Sequence, residues 1–290
     1  MTTLNRGTKE QLLGVGHLKC DRKDLPRLRG LLENEKFDAV VDITAGEPED
    51  TEAMIRIFGG RIERFVHCST GAVYEDKWEF PVLEEDPLVG WTGKGTYPEN
   101  KAQCERLLFK AFEESGFPVT ILRPTVIYGP NNYLYREAYV FDRAKARRPI
   151  PVPGDGKSVT HVVHVDDVAS GFAEALRSRA AVGQAYNIAG PRAISLDLWA
   201  ESAAKPCTND ARIIHYDESL VSRDVKKGFP LSTSPWVMSI EKAHRDLGFT
   251  PRGLYDGMKE AYEWYSQSHP FGKPDFQFDR AVASMQRTMN

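Results

Sequence analysis

Short apolar runs, spaced by patterns of helical period, set the plan of the chain. Phe-Asp-Ala-Val-Val-Asp-Ile at 37–43, Arg-Phe-Val-His-Cys at 64–68 and Val-Thr-Ile-Leu-Arg at 119–123 are apolar over most of their length instead of alternating. That is the pattern of parallel strands buried on both faces. Between them, Leu25, Leu28, Leu31 and Leu32 form a stripe at helical spacing after Asp24. A second helix is expected from about Asp50 to Phe58, stopped by Gly59-Gly60. A third should open at Tyr97-Pro98, where proline suits the first turn, and run to Ser115 before Gly116-Phe117-Pro118. Strand and helix in alternation imply an α/β fold with a doubly wound parallel sheet. After Gly129 the pattern loosens, and Arg-Pro-Ile-Pro-Val-Pro-Gly-Asp-Gly at 148–156 reads as a stiff extended linker. The chain is accordingly divided into a first domain over 1–165 and a smaller C-terminal lobe over 166–290, partly interleaved with it. The polar tail after about Ser266 is expected to be loosely held.

Composition narrows the setting. A chain of 290 residues can bury a full core, and a formal charge of −3 gives no reason to expect a polyanionic partner. The four cysteines (Cys20, Cys68, Cys104, Cys207) stand far apart with no Cys-x-x-Cys pair. This points away from a disulfide framework or a thiolate metal site and towards a reducing cytoplasm. No apolar stretch reaches the length needed to span a bilayer, and the opening Met-Thr-Thr-Leu-Asn-Arg lacks the apolar core of a signal peptide, so no membrane association is expected. No metal is expected either, because His161 and His164 would point to opposite faces of a strand.

The start of the third helix carries the chemistry. Tyr97 and Lys101 are four apart and share a helix face, so the ammonium can lie close to the phenol. A phenol alone titrates at about pH 10, but a neighbouring positive charge favours phenolate and brings the group towards working pH as a general acid/base. The spacing by itself equally fits a solvated helix face. Its surroundings decide the matter.

Those surroundings are segments in a fixed order: Cys-Ser-Thr-Gly-Ala-Val-Tyr at 68–74 after a strand, Tyr-Pro-Glu-Asn-Lys at 97–101 opening a helix, and Leu-Arg-Pro-Thr-Val-Ile-Tyr-Gly-Pro at 122–130 ending the next strand. His-Val-Asp-Asp-Val-Ala at 164–169, Ala-Tyr-Asn-Ile-Ala-Gly at 185–190 and Ser-Ile-Glu-Lys-Ala-His-Arg-Asp-Leu-Gly-Phe at 239–249 follow. Together they resemble the extended short-chain dehydrogenase/reductases, the NAD-dependent epimerase/dehydratase family, over nearly the whole chain. The resemblance implies a Rossmann-like nucleotide-binding first domain and a C-terminal substrate lobe. It implies Tyr97 as acid/base, Lys101 as the residue that lowers its pKa and holds the nicotinamide ribose, and Thr70 as the hydroxyl that bonds the reacting oxygen. It further implies Pro124, Thr125 and Val126 against the nicotinamide carboxamide, Asp21 near the adenine, and Thr44, Ala45 and Gly46 along the adenosine. A surface turn explains Asp21 as readily.

Within that family, Leu-Asn-Arg-Gly at 4–7, Arg-Pro-Ile-Pro-Val-Pro at 148–153, Ile-Ile-His-Tyr at 213–216 and Lys-Pro-Asp-Phe at 273–276 look like the chloroplast stem-loop-binding proteins and their bacterial relatives. Those plant proteins are known for binding and cutting RNA and generally lack the tyrosine present here at Tyr97. In this subgroup Arg6 ends the second strand, where a guanidinium suits the 2′-phosphate of NADP and a carboxylate would suit NAD, so NADP is favoured over NAD.

The sequence departs from the family in two places. Nucleotide-sugar epimerases carry arginines for the substrate diphosphate at positions that fall here on Thr160 and Phe229, neither able to make charge-assisted bonds to phosphate. Arg136, Arg147, Arg148, Arg223, Lys226 and Lys227 are possible substitutes or plain solvated surface, and Arg143, Lys145, Arg147 and Arg148 form either a basic patch for RNA or a solvated helix face. The opening strand, Gly-x-x-Gly-type turn and helix are also missing. Met1 falls inside the second strand of the pattern, so roughly 25 to 30 residues of the first βαβ unit are expected to be absent. Gly14-Val15-Gly16 does not replace the turn, because Lys19 stands where the helix-opening glycine is needed.

The expected function is an NAD(P)-dependent epimerase, dehydratase or reductase acting on a small carbohydrate-type hydroxyl or ketone. The alternatives are an RNA-binding or RNA-cleaving protein and a cofactor-free remnant. The strand containing Leu4 and the one containing Val40 are expected either to pair directly across the missing unit or to be covered in a homo-oligomer.

Overall fold

The computed structural model describes all residues except 9–10, 77–78, 209–210, 221–227 and 289–290, so Arg223, Lys226 and Lys227 lie outside the described residues. In chain order the elements are β1 (Thr2–Asn5), β2 (Gly16–Lys19), α1 (Leu25–Leu32), β3 (Ala39–Asp42), α2 (Pro48–Phe58), β4 (Arg64–Cys68), α3 (Tyr97–Ser115), β5 (Val119–Pro124), β6 (Val126–Tyr128), α4 (Glu137–Lys145) and β7 (Ile150–Pro153). There follow β8 (Val159–Thr160), β9 (Val162–His164), α5 (Val165–Arg177), β10 (Gln184–Ile188), β11 (Ile194–Ser195), α6 (Leu196–Ala204), β12 (Ile213–Tyr216), α7 (Glu241–Leu247), α8 (Leu254–Ser268) and α9 (Gln277–Thr288). They are divided between two compact units, one made of Met1–Asp76, Glu85–Arg123 and Phe172–Tyr186, the other of Lys77–Glu84, Pro124–Gly171 and Asn187–Asn290.

In the first unit the helix ends follow from local chemistry. Asp24 caps α1 by accepting from the Arg27 amide, and Leu28 and Leu32 turn inward. Glu99 and Thr96 form a capping box at the start of α3, and Gly116 ends that helix in the left-handed region at φ 69°. The main sheet has the order β10-β5-β4-β3, with β3, β4 and β5 parallel and His67 on β4 opposite both Asp42 and Ile121. Phe65, Val119 and Ile121 from the strands meet Leu108 of α3 and Met54, Ile57 and Phe58 of α2 in one core.

β1 and β2 stand apart from that sheet as a parallel pair, Thr2 opposite Gly16 and Asn5 opposite Lys19. The expected direct pairing of the strand containing Leu4 with the one containing Val40 is therefore not formed among the described residues. Side chains make the connection instead: Arg22, just after β2, reaches Asp42 at the end of β3. One edge of β3 consequently has no ladder partner among the described residues. Val41 and Ile43, two apart and hence on one face, remain 41% and 63% exposed, unusual for a run so apolar.

The second unit has its own core, in which Tyr139, Phe141, Trp199 and Met258 are the large members. Residues 150–153 are a strand and no linker: β7 is buried throughout and pairs in parallel with β12. The prolines explain both the expectation and its failure. Ile150 and Gly154 donate to the carbonyls of Arg212 and Tyr216, while Pro151 and Pro153 alternate with them at positions that need no donor. Among the described residues no helix is long and apolar enough to cross a membrane.

Candidate active site

The candidate residues of the first unit converge on the carboxyl ends of β3 and β4. Lys101 is buried on α3 and its Nζ donates to the carbonyls of Ala45 and Cys68, at 2.7 and 2.6 Å. The ammonium is thus fixed by two of its three N–H bonds. Tyr97, one turn earlier on the same helix, is 56% exposed, whereas Lys101 is buried. Thr70 caps the short turn after β4, its Oγ1 accepting from the Ala72 amide at 3.2 Å.

The loop at 44–46 is tied by carboxylates. Asp42 accepts from the amides of Thr44 and Ala45, Asp50 from that of Gly46, and Arg22 donates to Thr44 Oγ1 at 2.7 Å. Burial works against ionisation of Asp42, but the Arg22 guanidinium outweighs it and holds the carboxyl below its usual range. His67 is fully buried beside this cluster, with neither ring nitrogen hydrogen-bonded among the described residues. Burial first, then the Lys101 charge, holds its pKa down to about 3, so the ring is neutral at working pH. No motif or spacing marks Arg22 or His67 as a member of this cluster. Only the pairing of β3 with β4 brings them to it.

Asp21 forms a local turn, its carboxylate accepting from the Lys23 amide, and is exposed, as is Arg6 after β1. Both lie in the first unit with the 44–46 loop and Lys101. The pyrophosphate of a dinucleotide is poorly served. The described residues between β1 and β2 contain no helix, and α2 opens with Glu49 and Asp50, acidic groups that repel an anion at a helix start.

In the second unit, Pro124 is buried and the Thr125 amide donates to the Ile188 carbonyl, while Thr125 Oγ1 is buried without a partner among the described residues. Val126 begins β6 opposite Val162 of β9. Thr160 is buried in β8, and Phe229 packs edge-on against Tyr139 and Trp199. The expected basic surface on α4 is not continuous. Arg143 is fully buried, its guanidinium bound to Asp279 and lying 3.5 Å over the Tyr139 ring, and Arg148 pairs with the same aspartate. Arg143 is thus part of neither a solvated face nor an RNA patch, whereas Lys145 and Arg147 remain exposed. His161 bonds the Gly190 carbonyl, whereas His164, Asp166 and Glu260 gather within 4.8 Å of one another. Arg252 already occupies that cluster, bonding Glu260 at 2.6 Å and Asp167 at 2.9 Å.

An interrupted doubly wound sheet carrying a Tyr-x3-Lys helix beside the ends of its parallel strands defines a Rossmann-like protein of the short-chain dehydrogenase/reductase type. The model of the NAD dependent epimerase/dehydratase family matches residues 2–189, and the chain belongs to that family. It is 33% identical over 271 residues to the chloroplast stem-loop binding protein of 41 kDa b of Arabidopsis thaliana, covering 92% of this chain and 69% of that protein. It is 26% identical over 211 residues to an Arabidopsis thaliana trifunctional UDP-glucose 4,6-dehydratase/UDP-4-keto-6-deoxy-D-glucose 3,5-epimerase/UDP-4-keto-L-rhamnose-reductase, covering 72% of this chain but only 30% of that protein. Among solved structures, dTDP-glucose 4,6-dehydratase from Bacillus anthracis in complex with NAD superposes with a TM-score of 0.71 at 19% identity, over 89% of this chain and 82% of that one, a likeness of fold.

Proposed function

We propose that this protein is an NAD(P)-dependent enzyme of the epimerase, dehydratase or reductase type, acting on a hydroxyl or ketone of a small carbohydrate-like molecule. The observation that carries the reading is the seating of α3, with Lys101 bonded to the Ala45 and Cys68 carbonyls and Tyr97 exposed one turn earlier. Tyr97 Oη moves the proton. Lys101 stabilises its phenolate by charge and keeps one N–H for a ribose hydroxyl. Thr70 accepts a backbone N–H, which leaves its own O–H to donate to the reacting substrate oxygen. Asp21, Thr44, Ala45 and Gly46 are assigned to the adenosine, Arg6 to a 2′-phosphate, and Pro124, Thr125 and Val126 to the carboxamide. When bound, the nicotinamide accepts and returns a hydride.

The test is incubation with UDP-glucose or dTDP-glucose and NAD or NADP, followed by NMR for epimerised, dehydrated or reduced product. Product formation abolished by Tyr97→Phe supports the reading; product formed equally by that variant defeats it.

A second reading is RNA binding, supported by the name of the 33% identical relative and by the poor fit of the pyrophosphate. Retardation of a stem-loop RNA in a gel, with no turnover of either nucleotide sugar, would favour it. The free edge of β3 further supports assembly into a homo-oligomer, which sedimentation would reveal.

A further inference from the structure

The loop of residues 89–96, which leads into Tyr97, is anchored at both ends. At its near end the Val89 amide donates to the Val73 carbonyl at 2.8 Å, and Arg106 of α3 donates to the carbonyls of Leu88 and Val89 at 3.3 and 2.8 Å. At its far end the buried Glu99 carboxylate accepts from the amides of Gly95 and Thr96, at 3.1 and 3.4 Å, and from the Thr92 hydroxyl. The intervening tip turns through Gly93 and Gly95 at φ 81° and 64°, a left-handed path that side chains disfavour. One end of the loop is bonded three residues past Thr70, and the other passes directly into Tyr97.

Two side chains stand on that tip. Trp91 is 51% exposed, and Lys94 is exposed, with no ion pair or hydrogen bond among the described residues. A half-exposed indole on a tethered loop differs from a scattered surface apolar group, because the anchors hold the loop between the turn that follows Thr70 and the start of the helix that carries Tyr97. Indole offers a flat apolar face for a ring, and an ammonium offers a point charge for a phosphate. The need for such a cation is independent of the loop: Thr160 is buried, Phe229 is partly buried, and neither carries a charge.

We propose that loop 90–96 is the substrate-recognition element of this site, Trp91 stacking on a sugar ring and Lys94 pairing with a phosphate attached to it. This rests on the enzyme reading above in taking Tyr97 and Thr70 as the reacting end. The phosphate is that of a sugar phosphate or of a nucleotide sugar, and both present the same ring-plus-anion chemistry.

Binding is measured without turnover, by calorimetry and tryptophan emission, on the full chain and on Trp91→Ala, Trp91→Phe and Lys94→Gln, with circular dichroism to verify folding. Glucose 1-phosphate, UDP-glucose and unphosphorylated glucose are the probes. A phosphorylated probe should bind and shift the emission, the shift should vanish in Trp91→Phe, and affinity should fall about tenfold in Trp91→Ala and in Lys94→Gln. Added salt should weaken binding to the parent protein and not to Lys94→Gln. Binding by glucose 1-phosphate assigns the pair to the sugar phosphate itself; binding by UDP-glucose alone assigns it to the nucleotide sugar, and either supports the proposal. Equal affinity in all variants, glucose binding as tightly as its phosphate, no binding by any probe, or an RNA oligonucleotide alone producing the emission shift would each overturn it. Turnover unaffected by both tip variants would sink this proposal and leave the enzyme reading standing. Probe binding that depends on the tip in a protein without turnover would do the reverse.

Discussion

Arg22 grips Asp42 at two points, 2.8 and 3.0 Å apart, and so joins the segment after β2 to the end of β3, where no backbone ladder connects the two sheets. Both partners are largely buried, so each is expensive to leave alone. Arg22→Gln should lower stability by about 2 kcal/mol in urea unfolding, and Asp42→Asn by a similar amount. The double variant should lose much less than the sum. Strict additivity would mean that the pair contributes nothing as a pair.

Buried His67 makes stability depend on pH in a defined direction. Its pKa is about 3 in the folded chain against 6.5 when exposed, so below 6.5 the unfolded state takes up a proton that the folded state refuses. The group contributes no penalty above 6.5 and a growing one below it, by up to about 1.4 kcal/mol per pH unit. Urea midpoints measured between pH 6.5 and 5, where carboxylates stay ionised, should fall in the parent and be flatter in His67→Leu. Parallel curves for the two proteins would show that His67 does not titrate this way.

Tyr97 and Lys101 should separate by what they damage. Tyr97→Phe removes an exposed hydroxyl and is expected to lower kcat by about 100-fold with little change in the unfolding midpoint. Lys101→Met orphans the Ala45 and Cys68 carbonyls, so it should reduce both activity and stability, the latter by about 1 to 3 kcal/mol. A Lys101→Met protein as stable as the parent would show that the two bonds do not hold α3 in place.

Arg6 is exposed at the end of β1, free to meet a 2′-phosphate. NADP should bind more tightly than NAD in calorimetric titration, and Arg6→Ala should bring the two affinities together, a change of about 1 to 3 kcal/mol. Equal affinities in the parent protein would remove Arg6 from the cofactor assignment.

Much of the first unit was legible in the chain. The α3 boundaries followed from Tyr97-Pro98 and Gly116, and β4 from its apolar run, because proline, glycine and hydrophobic period act locally. β7 was misread for a local reason too: prolines in alternate positions mimic a linker unless the partner strand β12, some sixty residues on, is known. The burial of Arg143 depended on Asp279 at the far end of the chain, and no pattern within α4 encodes that distance. The helix start that carries Lys101 is legible in the chain, yet its bonds to the Ala45 and Cys68 carbonyls depend on the parallel register of β3 and β4, which no local pattern encodes.

The separate β1–β2 pair has a kinetic consequence. Two short strands joined by one ladder form a marginal structure by themselves, and this pair is held to the unit mainly by Leu4, Leu18 and the Arg22 side chain. It should open as its own small cooperative unit while the sheet from β3 to β10 stays closed. In native-state hydrogen exchange, the Gly16 and Cys20 amides, bonded to the Met1 and Asn5 carbonyls, would exchange through this local opening. The Phe65 and Ser69 amides, bonded to the Pro118 and Leu122 carbonyls, would wait for global unfolding.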